Sequence, residues 1–156
     1  MNKNINLGVI GIDHGHIFDM LDEMLKEGCT CDYFWTEGSP LTLDEFNKKY
    51  PNIKRVENRS DILNDNKIDM VLISSIPKDR AHNSIEALKA GKDVMVDKPG
   101  CTTLDQLNEL KQTVKETGKI WSINFSERFH VAAVVKAEKL VNEGKIGKVK
   151  QTIGTG

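Results

Sequence analysis

Val94-Met-Val-Asp-Lys98-Pro99-Gly100 sets a lysine and a proline directly after a short apolar strand. Open α/β sheets place their chemistry at that carboxyl end of the strands. Upstream, Leu7-Gly-Val-Ile-Gly11-Ile-Asp-His-Gly15-His16 reads as a buried strand that breaks into a glycine turn and then a helix. A turn of that kind holds a dinucleotide pyrophosphate, because the helix N-terminus offers unpaired N–H groups and the positive end of its dipole. Around these two stretches, strand-like and helix-like periods alternate with no repeat and no Pro/Gly-rich linker. Alternation of this type implies a parallel sheet covered by helices on both faces, so the expected fold is α/β, a Rossmann-type doubly wound sheet.

The first strand is expected over 5–12. Ile17, Met20, Leu21, Met24 and Leu25 then recur at helical spacing as far as Gly28, a glycine cap. A second strand follows over 30–35, and Thr42-x-x-Glu45 reads as a capping box for a short helix ending near Tyr50-Pro51. A brief edge strand is expected near 54–56. Residues 68–75 have no polar alternation, as in a central strand buried on both faces. Ala81, Ile85 and Leu88 form the inner stripe of the next helix, Gly91 ends it, and the strand over 93–97 delivers Lys98. Thr103-x-x-Gln106 caps a helix that buries Leu107, Leu110 and Val114 and closes at Gly118. A strand over 120–125 and a helix over about 131–143 complete the pattern, and 149–153 is long enough for a further strand without a later partner.

A chain of 156 residues, 38% apolar and 29% charged, has the composition of an ordinary globular domain plus a short tail. Its net charge of −1, from 22 basic and 23 acidic residues without strong clustering, gives no footprint for a nucleic acid. No apolar run approaches the roughly 20 residues that cross a bilayer, and Met1-Asn-Lys-Asn lacks the apolar core of a signal peptide. A cytoplasmic location with no membrane partner is expected. Cys29, Cys31 and Cys101 make an odd count that indicates no disulfide framework, and Cys29-Thr-Cys31 reads as structural rather than as half a metal site.

A strict G-x-G-x-x-G from Gly11 would need glycine at 13 and 16, where this chain has Asp13 and His16. A carboxylate at 13 faces the phosphate charges unless it turns away, while Gly15 restores some of the close approach. The rival reading is a strand-to-helix turn that merely holds glycines. His14 and His16 lack a visible third ligand, so no metal is expected. Glu37 lies where an acidic residue about 20 positions past the glycines bonds the adenosine ribose of NAD, although a solvated loop acid is an equal reading. No cation occupies 36–40, which favours NAD over NADP. Pro99 restricts Lys98 to extended backbone and so fixes its aim, and Ser74-Ser75-Ile76-Pro77 ends the preceding strand, so two strand tips can line one crevice.

The order of segments, from the glycine turn through Ser74-Ser75-Ile76-Pro77, His82, Ala87-Leu-Lys-Ala-Gly-Lys-Asp-Val-Met-Val-Asp-Lys-Pro99 and Asn124-Phe-Ser-Glu-Arg-Phe129, resembles the nucleotide-binding half of the glucose-fructose oxidoreductase/inositol dehydrogenase (Gfo/Idh/MocA) family. Its most specific part is Ala87 to Pro99, similar to that family's Ala-Gly-Lys-x-Val-x-x-Glu-Lys-Pro, with Asp97 in place of glutamate. The resemblance implies a nicotinamide-dependent oxidoreductase that moves hydride between the cofactor and a sugar, polyol or related hydroxy compound. It implies that Lys98 is the catalytic lysine near the nicotinamide ribose and substrate hydroxyl, with Pro99 shaping its turn. The cofactor would be held by Gly11, Ile12, Asp13, His14, Gly15, His16, Glu37, Ser74, Ser75, Ile76, Pro77, His82, Asp97, Lys98, Pro99 and Arg128. His82 would chiefly cap the helix that it starts, and a surface ion pair is a rival role for Arg128.

The resemblance divides the chain into 1–125, an NAD(P)-binding Rossmann domain, and 126–156, a helix and the start of a C-terminal substrate domain that is otherwise missing. The family's proton-transferring aspartate and histidine belong to that domain, so little or no turnover is expected of this segment alone. The alternatives are a non-catalytic nucleotide-binding or assembly module and a domain of this fold that binds no dinucleotide. An unpaired strand at 149–153 would remain disordered, aggregate or pair with another copy, giving a homo-oligomer.

Overall fold

The computed structural model describes residues 4–125 and 131–153. Six parallel strands, β1 (Asn6–Ile12), β2 (Thr30–Trp35), β3 (Lys54–Arg55), β4 (Met70–Ser74), β5 (Asp93–Asp97) and β6 (Trp121–Asn124), form one sheet in the order β3-β2-β1-β4-β5-β6. The helices between them are α1 (His16–Lys26), α2 (Leu43–Lys49), α3 (Arg59–Leu63), α4 (Pro77–Lys89) and α5 (Leu104–Thr117). A further helix, α6 (Ala132–Asn142), follows the sheet. The strand order reverses between β1 and β4, which is the switch point where open α/β sheets leave a crevice. The doubly wound fold is as the sequence implies.

Two apolar clusters cover the two faces. Ile62, Val71, Ile73, Ala81, Ile85, Leu88, Val94, Val96 and Leu110 pack on one, and Leu7, Val9, Ile17, Met20, Leu21, Phe34, Phe46 and Leu72 on the other. Strand β1 feeds both, with Ile10 in the first cluster and Ile12 in the second. Residues two apart in a regular strand share a face, so this switch needs an irregularity. The β1–β4 register shifts between Ile10 and Ile12, where Gly11 has φ +74°. This one-residue bulge turns Ile12 back into the core and opens the strand tip just beyond it.

Several boundaries follow the sequence closely. Thr103 accepts a hydrogen bond from the Gln106 N–H at 3.2 Å, and Gly118 closes α5 in the left-handed region at φ +66°. Elsewhere the structure corrects the reading. Thr42 makes no capping bond to α2; its hydroxyl donates instead to the Ile12 carbonyl, tying α2 to the tip of β1. Helix α3, absent from the sequence reading, starts where the Asp61 carboxylate accepts from the Asn58 N–H at 3.1 Å. Residues 149–153 form no strand.

The chain separates into two compact units, Met1–Asn124 and Phe125–Gly156. In the second, no described residue is buried. Among the described residues no helix is long and apolar enough to cross a membrane.

Candidate functional site

The site is built on the carboxyl ends of β1, β4 and β5. At Gly11 a side chain is impossible: a Cβ there would lie 2.5 Å from Ser75 Cβ and 2.6 Å from Ser75 Cα. The two strand tips are then laced together beyond the bulge. The Asp13 N–H donates to the Ser74 carbonyl at 2.9 Å, and the Ser74 hydroxyl donates to the His14 carbonyl at 3.2 Å. Gly15 stands at the N-cap of α1 and supplies no side-chain cap. Gly11, Asp13, Ser75 and Ile76 form one wall of a crevice that Trp35 and Glu37 of the β2 end complete, while Lys98 at the tip of β5 is not part of its lining.

The crevice is mixed in charge. Arg59 and Lys78 line it beside Glu37, Asp79 and His82. Arg59 is engaged: it pairs with Glu86, donates to Asn83 and lies over the Trp35 ring, 5.6 Å from its centroid. At Asp13, desolvation is the main influence, joined by repulsion from Asp79 and Glu37. Together they outweigh the residue's own backbone hydrogen bond and the attraction of Arg80, and the carboxyl is raised above the ordinary aspartate value.

The second gathering point is Asp97, the last residue of β5 and fully buried. Its Oδ1 accepts from the Lys98 N–H at 2.7 Å, and its Oδ2 from Arg80 Nη2 at 2.9 Å. Two imidazoles approach the same carboxylate, His16 Nδ1 at 2.8 Å from Oδ1 and His14 Nδ1 at 3.2 Å from Oδ2. Arg80 is itself 2% exposed, and burial lowers its guanidinium pKa against the pull of Asp97. Its Nε donates to the Ser75 carbonyl at 2.7 Å, and its Nη1 donates to the Lys98 carbonyl and, at 3.4 Å, to that of Pro99. One side chain thus clamps the ends of β4 and β5 together. The Lys98–Pro99 peptide is cis.

Measured against the sequence expectations, Gly11, Asp13, Glu37, Ser75, Ile76 and His82 line the crevice. His14, His16, Asp97 and Lys98 assemble around the buried carboxylate instead. Ile12 and Ser74 are buried, and Pro77 opens α4. The capping role expected of His82 is not observed: it sits within α4, more than a turn from the start, and its Nε2 lies 3.5 Å from Glu86 Oε2. Arg128 lies outside the described residues. The third donor that the sequence did not reveal beside His14 and His16 comes from Asp97, whose carboxylate meets both imidazoles from 81 residues or more along the chain. Sequence reading missed Arg80 altogether, although a signal was present. Arg80, Ser84 and Leu88 recur four apart on the buried face of α4, where an arginine needs a partner.

Residues 5–125 match the GFO_IDH_MocA family, described as an oxidoreductase family with an NAD-binding Rossmann fold. The chain is 30% identical over 155 residues to the uncharacterized oxidoreductase YdgJ of Escherichia coli, covering 96% of this chain and 42% of that protein. It is 24% identical to the NADP(+)-dependent scyllo-inositol 2-dehydrogenase IolW of Bacillus subtilis, over 91% of this chain and 38% of that one. A crystal structure of an oxidoreductase from Erwinia carotovora atroseptica superimposes with a TM-score of 0.89 at 32% identity, over 94% of this chain and 44% of that one. The chain therefore spans about two fifths of the length of these relatives. With the doubly wound sheet and the bulged glycine turn in place, the match over residues 5–125 settles the family: this chain belongs to the GFO_IDH_MocA oxidoreductases and carries their NAD-binding Rossmann fold.

Proposed function

We propose that this chain is the cofactor-holding part of an NAD-dependent oxidoreductase acting on a sugar, a polyol or a related hydroxy compound. The observation that carries this reading is the crevice at the β1–β4 switch point, lined by Gly11, Asp13, Ser75 and Ile76 and closed by Glu37 of the β2 end, with Gly11 letting the tips of β1 and β4 meet. The nicotinamide supplies the hydride acceptor or donor when bound. The residues around it do the rest. Backbone at Gly11, Ser75 and Ile76 lines the crevice, Glu37 offers a carboxylate to a ribose diol, and the N-terminus of α1 faces phosphate charge. Glu37 at the end of β2 favours NAD, and the nearby Arg59 is already held by Glu86 and Asn83. NADP is the second choice: beside the NADP(+)-dependent IolW, the relatives include a scyllo-inositol 2-dehydrogenase (NAD(+)) of Bacillus subtilis.

Lys98 is the proposed catalytic residue. Its backbone is fixed on both sides, by Asp97 at the N–H and by Arg80 at the carbonyl. That anchoring gives the ammonium Nζ a reproducible origin from which to orient a substrate hydroxyl. The inositol dehydrogenases among the relatives support polyol-type substrates. The segment alone is proposed to be inactive, with 126–156 as the lead into a substrate domain. A non-catalytic nucleotide-binding module is the second reading, favoured by the carboxylate of Asp13 at the turn.

Titration with NADH, followed by energy transfer from Trp35 in the crevice wall, tests the reading. A saturable signal is expected, tighter for NADH than for NADPH. Absence of saturation with both nucleotides overturns it, and saturation without turnover on a panel of polyols is the expected behaviour of the segment by itself.

A further inference from the structure

Asp97 lies 81 residues beyond His16, yet the ligand-type atoms of His14, His16 and Asp97 lie within 4.8 Å of one another. The two rings meet edge to face with centroids 4.2 Å apart. Asp97 is wholly buried, whereas the side chains of His16 and His14 are 24% and 53% exposed, so the carboxylate forms the back of the cluster and the imidazoles its mouth.

Four groups converge on the carboxylate. A carboxylate has about two lone pairs on each oxygen. The Lys98 N–H uses one on Oδ1 and Arg80 Nη2 uses one on Oδ2. The other side of each oxygen faces an imidazole Nδ1. The His14 nitrogen also lies 3.3 Å from the His16 backbone nitrogen, so it sits between that N–H and the carboxylate.

The spacing suits a metal ion. Neighbouring donors on a centre with bonds of about 2.0–2.2 Å stand roughly 2.8–3.5 Å apart, which brackets both imidazole-to-carboxylate distances. Two nitrogens and one oxygen are the donors of borderline transition ions such as Zn²⁺ and Co²⁺, whereas Mg²⁺ and Ca²⁺ prefer all-oxygen shells. Arg80 and the Lys98 N–H then act as the outer contacts that orient the ligating carboxylate. The exposed side of the imidazoles leaves positions for water or an external ligand.

We infer that His14, His16 and Asp97 form a binding site for a divalent transition metal of the Zn²⁺/Co²⁺ class at the turn between β1 and α1. The inference does not depend on nucleotide binding. Arg80 places a second cation against the same carboxylate, so the affinity is moderate, with a Kd on the order of 1–100 µM. The test is titration of the untagged, chelator-treated full chain with Co²⁺, read by visible absorption and by displacement with Zn²⁺. One saturable equivalent is expected. His14→Ala and His16→Ala should each weaken binding at least tenfold with unchanged far-UV circular dichroism, while the double variant Cys29→Ser/Cys31→Ser binds as the parent does. Absence of a saturable spectrum overturns the inference, as does binding unaltered in both histidine variants or a thiolate charge-transfer band lost with the cysteines. The nucleotide titration, run without metal, reports on the other proposal separately.

Discussion

Asp13 is the residue at which the chain departs furthest from a plain phosphate-binding turn. Its carboxyl lines the crevice, and desolvation, with repulsion from Asp79 and Glu37, raises its pKa above the ordinary value. A raised pKa in the folded state means that folding favours the protonated form. The stability this contributes is full below the unfolded aspartate value and is lost as pH climbs through the folded one. Asp13→Asn mimics the favoured neutral form at every pH. The variant is expected to be more stable than the parent at neutral pH, with the difference vanishing below the unfolded value. It should also bind NADH more tightly, on the order of tenfold, because one charge facing two phosphates is gone. Urea melts at two pH values and a nucleotide titration check both, and an equal or weaker affinity places the carboxylate outside the phosphate path. Cys31 carries a different lesson. Burial raises its thiol to about 12, which keeps this sulfur protonated at neutral pH.

Among the elements, those with local signals were legible in the sequence, and those whose role rests on distant partners were not. Helix α5 was readable at both ends because Thr103, Gln106 and Gly118 act within a turn of the helix. Strand β4 was readable because burial on both faces removes polar alternation. Thr42 misled because its hydroxyl found the Ile12 carbonyl, 30 residues upstream, in place of the expected cap. The same holds for the site. Gly11 and Lys98 could be placed at strand ends, but the Asp97 hub requires contacts to Arg80 and His16 across 17 and 81 residues. Arg80 is therefore the joint between α4, β4 and β5, and Arg80→Met tests that role. Removing the cation leaves Asp97 buried without its strongest partner, and breaking such a pair costs about 3–5 kcal/mol. The melting temperature is expected to fall accordingly, and NADH affinity with it, because the ends of β4 and β5 lose their clamp. Loss of less than about 1 kcal/mol would falsify the clamp.

At the scale of the whole molecule, the buried side chains and both apolar clusters lie inside Met1–Asn124 among the described residues. Helix α6 instead keeps Val134, Val135 and Val141 exposed at 42%, 46% and 39%. Eleven residues of helix without a buried stripe are marginal on their own, because nucleation is costly and packing normally supplies what propensity does not. Stability should then reside almost wholly in the sheet and its covering helices. A chain ending at Phe125 is expected to unfold in urea in one cooperative step, with a free energy within about 1 kcal/mol of the full chain. It should also self-associate less at high concentration, since the exposed valines leave with α6. Matched urea melts and sedimentation velocity of the two chains check the pair of outcomes. A shortened chain that is several kcal/mol weaker would mean that 126–156 completes the core, and equal self-association would move any contact between copies onto the Rossmann unit itself.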